Sequence, residues 1–377
     1  MKFRSILILL VLALGLAVIA ACVPAPTPQV VEKVVTVEVE KEVIKEVEKE
    51  VVVTVEVQVP AEAAAVVEMD GAGKKIAAVF PGPVNDAGWT TSAYLGLVHL
   101  RDNYGFDIAY SERVAVADAA QVMREYAEAG YDIVLAHGYE FADPIYQVAQ
   151  EYPDVNFIQN NGSADDLANL YTITFSAGEG GYFMGRLACQ ISESGKIAAI
   201  TGTEFPIWSH HLKMMRQACA DIGKGDAEII ESYVGSWDDP AKAKELAKAA
   251  IEQGADVLIL QADAGDTGTV EAAREAAEAG KYIRVISWVR DKNYLAPDII
   301  LGGWKEEVGK NMEWTVRRIM SGEPGGHFAL GLVDGSVALE PFYGLVPAEI
   351  EQDIVKTLHD YLKDPASLPN LEVRTDL

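Results

Sequence analysis

Aromatic rings, amides and carboxylates recur just after the apolar runs of this sequence. After the first such run, at 75–80, the chain carries Asn85, Asp86, Trp89 and Thr90. An aromatic face stacks on a planar ring at little entropic cost, and amides and carboxylates hydrogen-bond to its polar edge. The combination predicts non-covalent binding of a small, planar, polar ligand.

Later apolar runs are followed by side chains of the same kinds. These further candidates are Tyr139, Glu140, Phe141, Asn160, Phe205, Trp208, Trp237, Gln261, Asp263, Trp288 and Asp291. Counting Trp304, five of the six tryptophans lie in or beside such segments, whereas core packing is expected to place them inside strands and helices. Asp86 alone could cap a helix, and a single tryptophan more often packs than binds. As a group facing one cleft, these residues favour ligand binding.

Sequence signatures of catalysis and of metal sites are missing. There is no zinc-binding His-Glu-x-x-His, nucleophile elbow, phosphate loop or paired-cysteine metal site. His210 and His211 are adjacent, so their side chains diverge on a helix, and the glycine-rich segment 178–181 is explained more simply by a hinge than by a phosphate loop. Asp263 and Asp291 could form an acid–base pair, but carboxylates that bind a ligand would look the same. We predict no enzyme, no cofactor and no metal.

Apolar runs alternate with amphipathic stretches, which is typical of a parallel α/β sheet. Strands are predicted at 75–80, 107–110, 132–136, 155–159, 171–175, 196–201, 228–233, 256–261 and 283–288. Helices are predicted between them, for example at 92–103, 119–129, 240–253 and 269–279. Ligands of such sheets bind beyond the carboxyl ends of the strands, where the candidates lie.

A segment of small residues at 176–181 divides two similar sets of strands and helices. The pattern predicts two doubly wound lobes with a cleft between them. We assign 74–176 and about 291–326 to lobe 1, and 177–290 and about 327–377 to lobe 2.

The first residues indicate export. Lys2 and Arg4 precede an apolar run at 6–19, and two alanines precede Cys22. This is typical of a lipoprotein signal peptide, predicted here at 1–22 with Cys22 as the lipidated residue. Plain cleavage and a retained span are the alternatives, but about 15 uncharged residues fall short of the roughly 20 that cross a bilayer as a helix.

The segment 23–73 has a different composition. Valine recurs at every fourth residue from 31 to 59, with glutamate and lysine between. An extended spacer, a self-associating β-like rod and a loose helix all fit this pattern, and a charged tether is the simplest interpretation. Residues 61–73 are expected to form a flexible junction.

The charge and cysteine content of the chain limit the kinds of partner that it can bind and the compartment in which it works. The 377-residue chain has a net charge of -26, which argues against nucleic acid because phosphates would be repelled. It also favours a body that meets the membrane only through acyl chains. Cys189 and Cys219 could pair in an oxidising compartment, but each lies in an apolar helical stretch where a buried free thiol, which we favour, is ordinary.

Four segments together resemble the basic membrane protein family of ABC-transporter solute-binding lipoproteins. They are Asn-Asp-Ala-Gly-Trp at 85–89, and the segments 181–188, 236–242 and 253–257. The likeness runs from about 74 to 342. It implies a type I periplasmic-binding fold with a hinge, an extracytoplasmic location, an ABC permease as partner, and purine nucleosides or nucleobases as frequent ligands.

The resemblance also implies roles for single residues. Trp89 corresponds to an aromatic residue that stacks on the base, Trp237 to a second one from the other lobe, and Asn85 and Asp86 to polar groups of the first lobe. Departures at Thr90 and 287–291 leave ribose recognition open. We expect a receptor that closes on a purine-like ligand. A sugar or polyol receptor and a ligand-sensing partner of a signalling receptor are the alternatives.

Overall fold

The computed structural model describes residues 69–175, 177–368 and 371. Cys22, the predicted signal peptide and the tether as far as residue 68 lie outside the described residues. Within the described part of the chain, every helix is too short or too polar to cross a membrane.

Strands and helices alternate along the described chain. The strands are β1 Lys75–Val79, β2 Asp107–Ser111, β3 Ile133–His137, β4 Asn156–Asn160, β5 Leu170–Phe175, β6 Lys196–Thr201, β7 Glu228–Tyr233, β8 Val257–Gln261, β9 Arg284–Val289, β10 Ile300–Glu306, β11 Gly326–Leu330 and β12 Val337–Leu339. The α-helices are α1 Trp89–Tyr104, α2 Val116–Glu128, α3 Ala142–Glu151, α4 Ala177–Ile191, α5 Pro206–Asp221, α6 Pro240–Glu252, α7 Asp266–Glu278, α8 Val308–Met320 and α9 Ala348–Lys363.

The strands form two six-stranded sheets. The first has the order β11-β5-β4-β3-β1-β2 and is parallel throughout. The second has the order β12-β10-β9-β8-β6-β7, and only its edge strand β12 runs antiparallel. Apolar side chains fill the inner strands, since all of β3 is buried. The predicted α/β class with two doubly wound lobes is confirmed.

The assignment of residues 300–330 to the two lobes differs from the prediction. Strand β10 pairs with β9, so 300–306 belongs to the second lobe, whereas we expected it in the first. Strand β11 pairs with β5 and therefore belongs to the first lobe. Helix α8 joins it there, because Gly309 of α8 lies so close to Gly96 of α1 that a β-carbon on Gly96 would be 2.8 Å from the Gly309 Cα. Within the described residues, the chain thus passes between the lobes near 176, 307 and 331.

Residues 69–71 are packed on the folded body, although we expected them to be part of a flexible junction at 61–73. Met69 is 6% exposed and belongs to the same hydrophobic cluster as Leu97 and Phe106 of the first lobe. The Gly71 N–H donates to the Tyr104 carbonyl at 2.7 Å. A side chain on Gly71 would meet the ring of Phe106. Residues 69–71 therefore pack on lobe 1 and do not form a loose link.

The glycines at 178–181 serve helix packing. They lie within α4, where β-carbons on Gly181 and Gly185 would collide with the backbone of His211 and Met215 in α5. The glycines let two helices approach closely, so helix packing accounts for this segment, for which we had expected a hinge. A disulfide joins Cys189 of α4 to a cysteine of α5, Cys219, with a Cα–Cα distance of 5.7 Å, contrary to the free thiols we favoured.

Candidate functional site

A cavity of about 310 Å³ lies between the two lobes. Its lining comes from the segments at the carboxyl ends of the strands in both sheets, as expected for doubly wound lobes. The lining residues are Pro81, Gly82, Pro83, Asp86, Trp89, Thr90, Arg113, Gly138, Tyr139, Glu140, Asn161, Phe175, Thr203, Phe205, Ile207, His211, Gly235, Ser236, Trp237, Asp238, Gln261, Asp263, Val289 and Glu306. The volume is at the lower end of the range for small-molecule sites.

Trp89 is the aromatic wall of the first lobe. Its ring stacks on the imidazole of His137, with centroids 3.9 Å apart and planes 18° apart, and it meets Phe175 edge-on. The His137 ring is fixed in turn, because its Nε2–H donates to the Trp89 carbonyl at 2.9 Å and its Nδ1 accepts from the Asn160 amide at 2.8 Å. Burial lowers the pKa of His137 to about 3, so the imidazole is neutral. A ligand can therefore stack only on the other face of Trp89.

Trp237 is the corresponding wall of the second lobe. Its indole lies flat on the backbone at Gly202, where any β-carbon would overlap the ring. Phe205 packs edge-on against it at 5.7 Å. One face of Trp237 is thus covered by its own lobe, and a ligand can reach only the opposite face.

Asp86 binds the backbone at the N-terminus of α1. This buried carboxylate accepts hydrogen bonds from the backbone N–H groups of Gly88, Thr90 and Thr91 at 2.8–2.9 Å and from the Thr91 hydroxyl at 2.8 Å. The helix N-terminus favours negative charge, which adds to this stabilisation. Asp86 therefore caps the helix and also lines the cavity.

Asp263 connects the lobes. Its Oδ1 accepts the backbone N–H of Trp89 at 3.0 Å, and no β-carbon would fit at Gly88 beside it. Asp263 adopts a left-handed backbone conformation with φ 49°, which directs its side chain across the cleft. Burial, followed by the nearby charge of Asp86, raises the pKa of Asp263 well above its usual value.

Two more contacts cross the cleft. The Arg113 guanidinium is 2.8 Å from the Asp238 carboxylate, and the ring of Tyr139 stacks on Phe205 with centroids 5.7 Å apart. Together with the Asp263 hydrogen bond, these contacts hold the lobes in a closed arrangement.

Nine of the residues proposed from the sequence line the cavity. They are Asp86, Trp89, Thr90, Tyr139, Glu140, Phe205, Trp237, Gln261 and Asp263. Asn85 and Asp291 instead border a separate shallow depression with Arg290 and Tyr294. The Asp291 carboxylate there accepts from the Tyr343 hydroxyl at 2.5 Å.

The other proposed residues lie behind the cavity walls. Phe141, Trp208 and Trp288 are fully buried in the hydrophobic cores, and Trp208 and Trp288 pack edge to face at 5.3 Å. Trp304 is also buried, so three of the five tryptophans that we expected to favour ligand binding as a group pack in the core instead. Asn160 is buried and reaches the site only through the ring of His137.

Several lining residues were not proposed from the sequence. Asn161, the neighbour of Asn160, takes its place because a left-handed φ of 60° turns the chain at the end of β4. Arg113 follows β2, after which we proposed no site residue. Glu306 ends β10, a strand that we did not predict, and only recognition of that strand could have indicated it.

Two further carboxyl groups, those of Glu140 and Glu306, line the walls. Burial raises the pKa of Glu306 to about 7 and also raises the pKa of Glu140. Lys292 does not reach them, because its buried ammonium binds Asp266 at 2.7 Å and the Trp288 carbonyl at 3.0 Å. Among the described residues, no three acidic, histidine or cysteine side chains are grouped as a metal site would need.

A family model described as ABC transporter substrate-binding protein, PnrA-like, matches residues 73–365. The chain belongs to this family. The resemblance to basic membrane proteins is thereby confirmed, and the family model describes substrate-binding proteins of ABC transporters.

Similar proteins carry several names. The transcriptional activator protein Med of Bacillus subtilis is 28% identical over 77% of this chain and 89% of its own. A purine-binding protein of Brucella abortus is 26% identical over 71% of this chain and 75% of its own. Among solved structures, an ABC transporter solute-binding protein of Aeropyrum pernix aligns with a TM-score of 0.68 at 20% identity, covering 78% of this chain and 91% of its own, which supports the fold.

Proposed function

We propose that this protein is the lipid-anchored, extracytoplasmic receptor of an ABC importer, and that it closes its lobes on a purine nucleobase or nucleoside. The observation that carries the proposal is the pair Trp89 and Trp237. Each comes from a different lobe, each lines the same cavity, and each has one face covered by its own lobe. A planar ring between their remaining faces would bridge the lobes and favour closure.

Polar groups around the rings suit the edge of a purine. Gln261 and Asn161 offer amide donors and acceptors, and Glu140 and Asp263 offer carboxyl oxygens. Hydrogen bonds in a closed cleft are costly to lose, so these groups would select among ring edges. The purine-binding relative from Brucella abortus supports this ligand class.

The proposed location rests on two features. Substrate-binding proteins of ABC importers work outside the cytoplasm, and Cys22 follows a lipoprotein-like signal peptide. The disulfide between Cys189 and Cys219 agrees with an oxidising compartment. The ABC permease is the proposed protein partner, and the acyl chains of Cys22 provide the membrane attachment.

A sugar or polyol is the second candidate ligand. The acidic and amide side chains of the walls favour it, since such groups also bind hydroxyls, and a sugar can lie on an indole face. The alternative role, as the ligand-sensing partner of a signalling receptor, needs the same closure of the lobes. The relative named as a transcriptional activator is the observation that favours it.

Calorimetry of the full-length protein in detergent, after removal of co-purified ligand, tests the ligand class. The panel is adenine, adenosine, guanosine, glucose and ribose. We expect a base or nucleoside to bind and the free sugars to fail. Binding of glucose or ribose without any base or nucleoside would replace the purine by a sugar.

A further inference from the structure

The cavity walls are acidic. Five of the lining side chains are carboxylic acids, namely Asp86, Glu140, Asp238, Asp263 and Glu306. Arg113 and His211 are the basic side chains of the lining. A charge on His211 would offset one carboxylate and leave the others.

Three of the five carboxyl groups have donors within the protein. Asp86 accepts from the start of α1, Asp263 accepts the Trp89 N–H, and Asp238 is paired with Arg113. These three therefore hold the fold and the closed arrangement together. Arg113, as the partner of Asp238, adds no uncompensated positive charge to the cavity.

Glu140 and Glu306 differ from the other three. Glu140 comes from the first lobe and Glu306 from the second, and both line the same cavity. Neither has an ion-pair partner within the part of the chain that the structure describes. Glu306 is 8% exposed, and its ionisation carries a desolvation cost that the nearby Trp288 side chain and the Lys292 charge offset only in part. A ligand that supplied positive charge would remove that cost when the lobes close.

We propose that the ligand is a planar heteroaromatic ring that carries a positive charge, held by Glu140 and Glu306 from opposite lobes and by the faces of Trp89 and Trp237. This inference rests on the proposed function, in which a ring is bound between the lobes. Indole faces attract cations most strongly among aromatic side chains, so the same walls that stack on a ring also favour its charge. Phosphorylated and carboxylated rings are rejected, because a buried anion would meet unpaired carboxylates.

Matched ligands of different charge test the proposal by calorimetry on the full-length protein in detergent. 1-Methyladenosine is a cation at neutral pH, and N6-methyladenosine is its neutral isomer. 1-Methylnicotinamide and nicotinamide form a second pair, without a purine. We expect the cation of a pair to bind at least tenfold more tightly than its neutral partner, and AMP to bind at least tenfold more weakly than adenosine.

Variants connect the preference to the two glutamates. Glu140→Gln and Glu306→Gln should each reduce the preference for the cation, measured as the ratio of the affinities for the charged and the neutral ligand of a pair. The matched control is Glu204→Gln, an exposed glutamate beside the lining segment that does not itself line the cavity. An unchanged preference in both cavity variants overturns the assignment of these residues.

The outcomes separate this inference from the proposed function. If neutral adenosine binds as tightly as 1-methyladenosine, the charge is wrong and the purine receptor stands. If only 1-methylnicotinamide binds, the purine is wrong and the charge stands. If AMP binds as well as adenosine, or if none of these ligands binds, the inference is overturned.

Discussion

Arg113 of the first lobe and Asp238 of the second form an ion pair across the cleft, with 2.8 Å between guanidinium nitrogen and carboxylate oxygen. The side chains are 60% and 40% exposed, so water screens the attraction. We expect a coupling free energy of at most about 1 kcal/mol, or roughly fivefold in ligand affinity. A double-mutant cycle with Arg113→Gln and Asp238→Asn measures it by calorimetry, using the panel compound that binds most tightly. The coupling should decline towards zero in 1 M salt, and a coupling that salt leaves unchanged would contradict a screened surface pair.

The two indole walls should contribute similar amounts to binding. Trp89→Ala and Trp237→Ala are each expected to weaken binding by roughly 1 to 3 kcal/mol, the scale of stacking between bases and aromatic side chains. Trp89→Phe should recover most of the loss because an aromatic face remains. Trp314→Phe is the control, since Trp314 packs against Phe328 outside the cavity. Equal affinity of the Trp89→Ala variant and the unmodified protein would exclude stacking on this ring.

Gly202 controls the position of the Trp237 ring. A β-carbon there would overlap the indole, so Gly202→Ala should push the ring towards the cavity and weaken binding at least tenfold. The control Gly225→Ala places its methyl group in ordinary contact with Ala220, at 3.5 Å. Circular dichroism should show both variants folded. Unaltered affinity of Gly202→Ala would mean that the ring does not contact the ligand.

Glu306 should make stability depend on pH. Its pKa is raised from the ordinary 4.5 to about 7, so the folded protein binds more protons than the unfolded chain between these values, and stability falls as pH rises through them. The difference corresponds to roughly 3 kcal/mol at pH 8. Glu306→Gln should therefore be more stable than the unmodified protein at pH 8 and equal to it at pH 4, as measured by denaturant unfolding. Glu204→Gln, the exposed control, should show no such gap, and the same gap at both pH values would point to packing instead of ionisation.

Cys22 should determine membrane attachment. Cys22→Ser removes the acceptor of the acyl chains, each buried methylene of which contributes about 0.8 kcal/mol. The protein should then move from the membrane to the soluble fraction on cell fractionation, with its thermal unfolding unchanged. Continued membrane association of this variant would show that another segment anchors the chain.

The sequence predicted the strands whose apolar runs are continuous and bounded by turns. Strands β1 to β9 were all expected within one or two residues of their positions. Strand β10 was missed because Gly302 and Gly303 interrupt its apolar pattern, although both are needed where backbone from 287 and 340–341 passes closely. Strand β11 is only partly buried and β12 has only three residues, so neither carries a clear apolar pattern.

The sequence predicted those site residues whose side-chain direction is determined by a position just after a strand. That rule located Asp86, Trp89 and Trp237 correctly at the cavity. The rule failed for Trp208 and Trp288. Their large rings lie one helical turn or one residue away from positions that face the cleft, and they face the core of the lobe instead. Sequence position alone does not distinguish these two directions, which depend on how the helices pack on the sheet.

Helix α8 and strand β11, at 308–330, complete a lobe whose other elements all precede residue 176. Without α8 and β11, strand β5 has an unpaired edge and α1 lacks the helix that packs against Gly96. The sheet of the first lobe is therefore completed only by a segment that follows most of the second lobe in the sequence. If the chain is exported from its amino terminus, as we propose, we expect the first lobe to complete its sheet only after residues 308–330 have crossed the membrane.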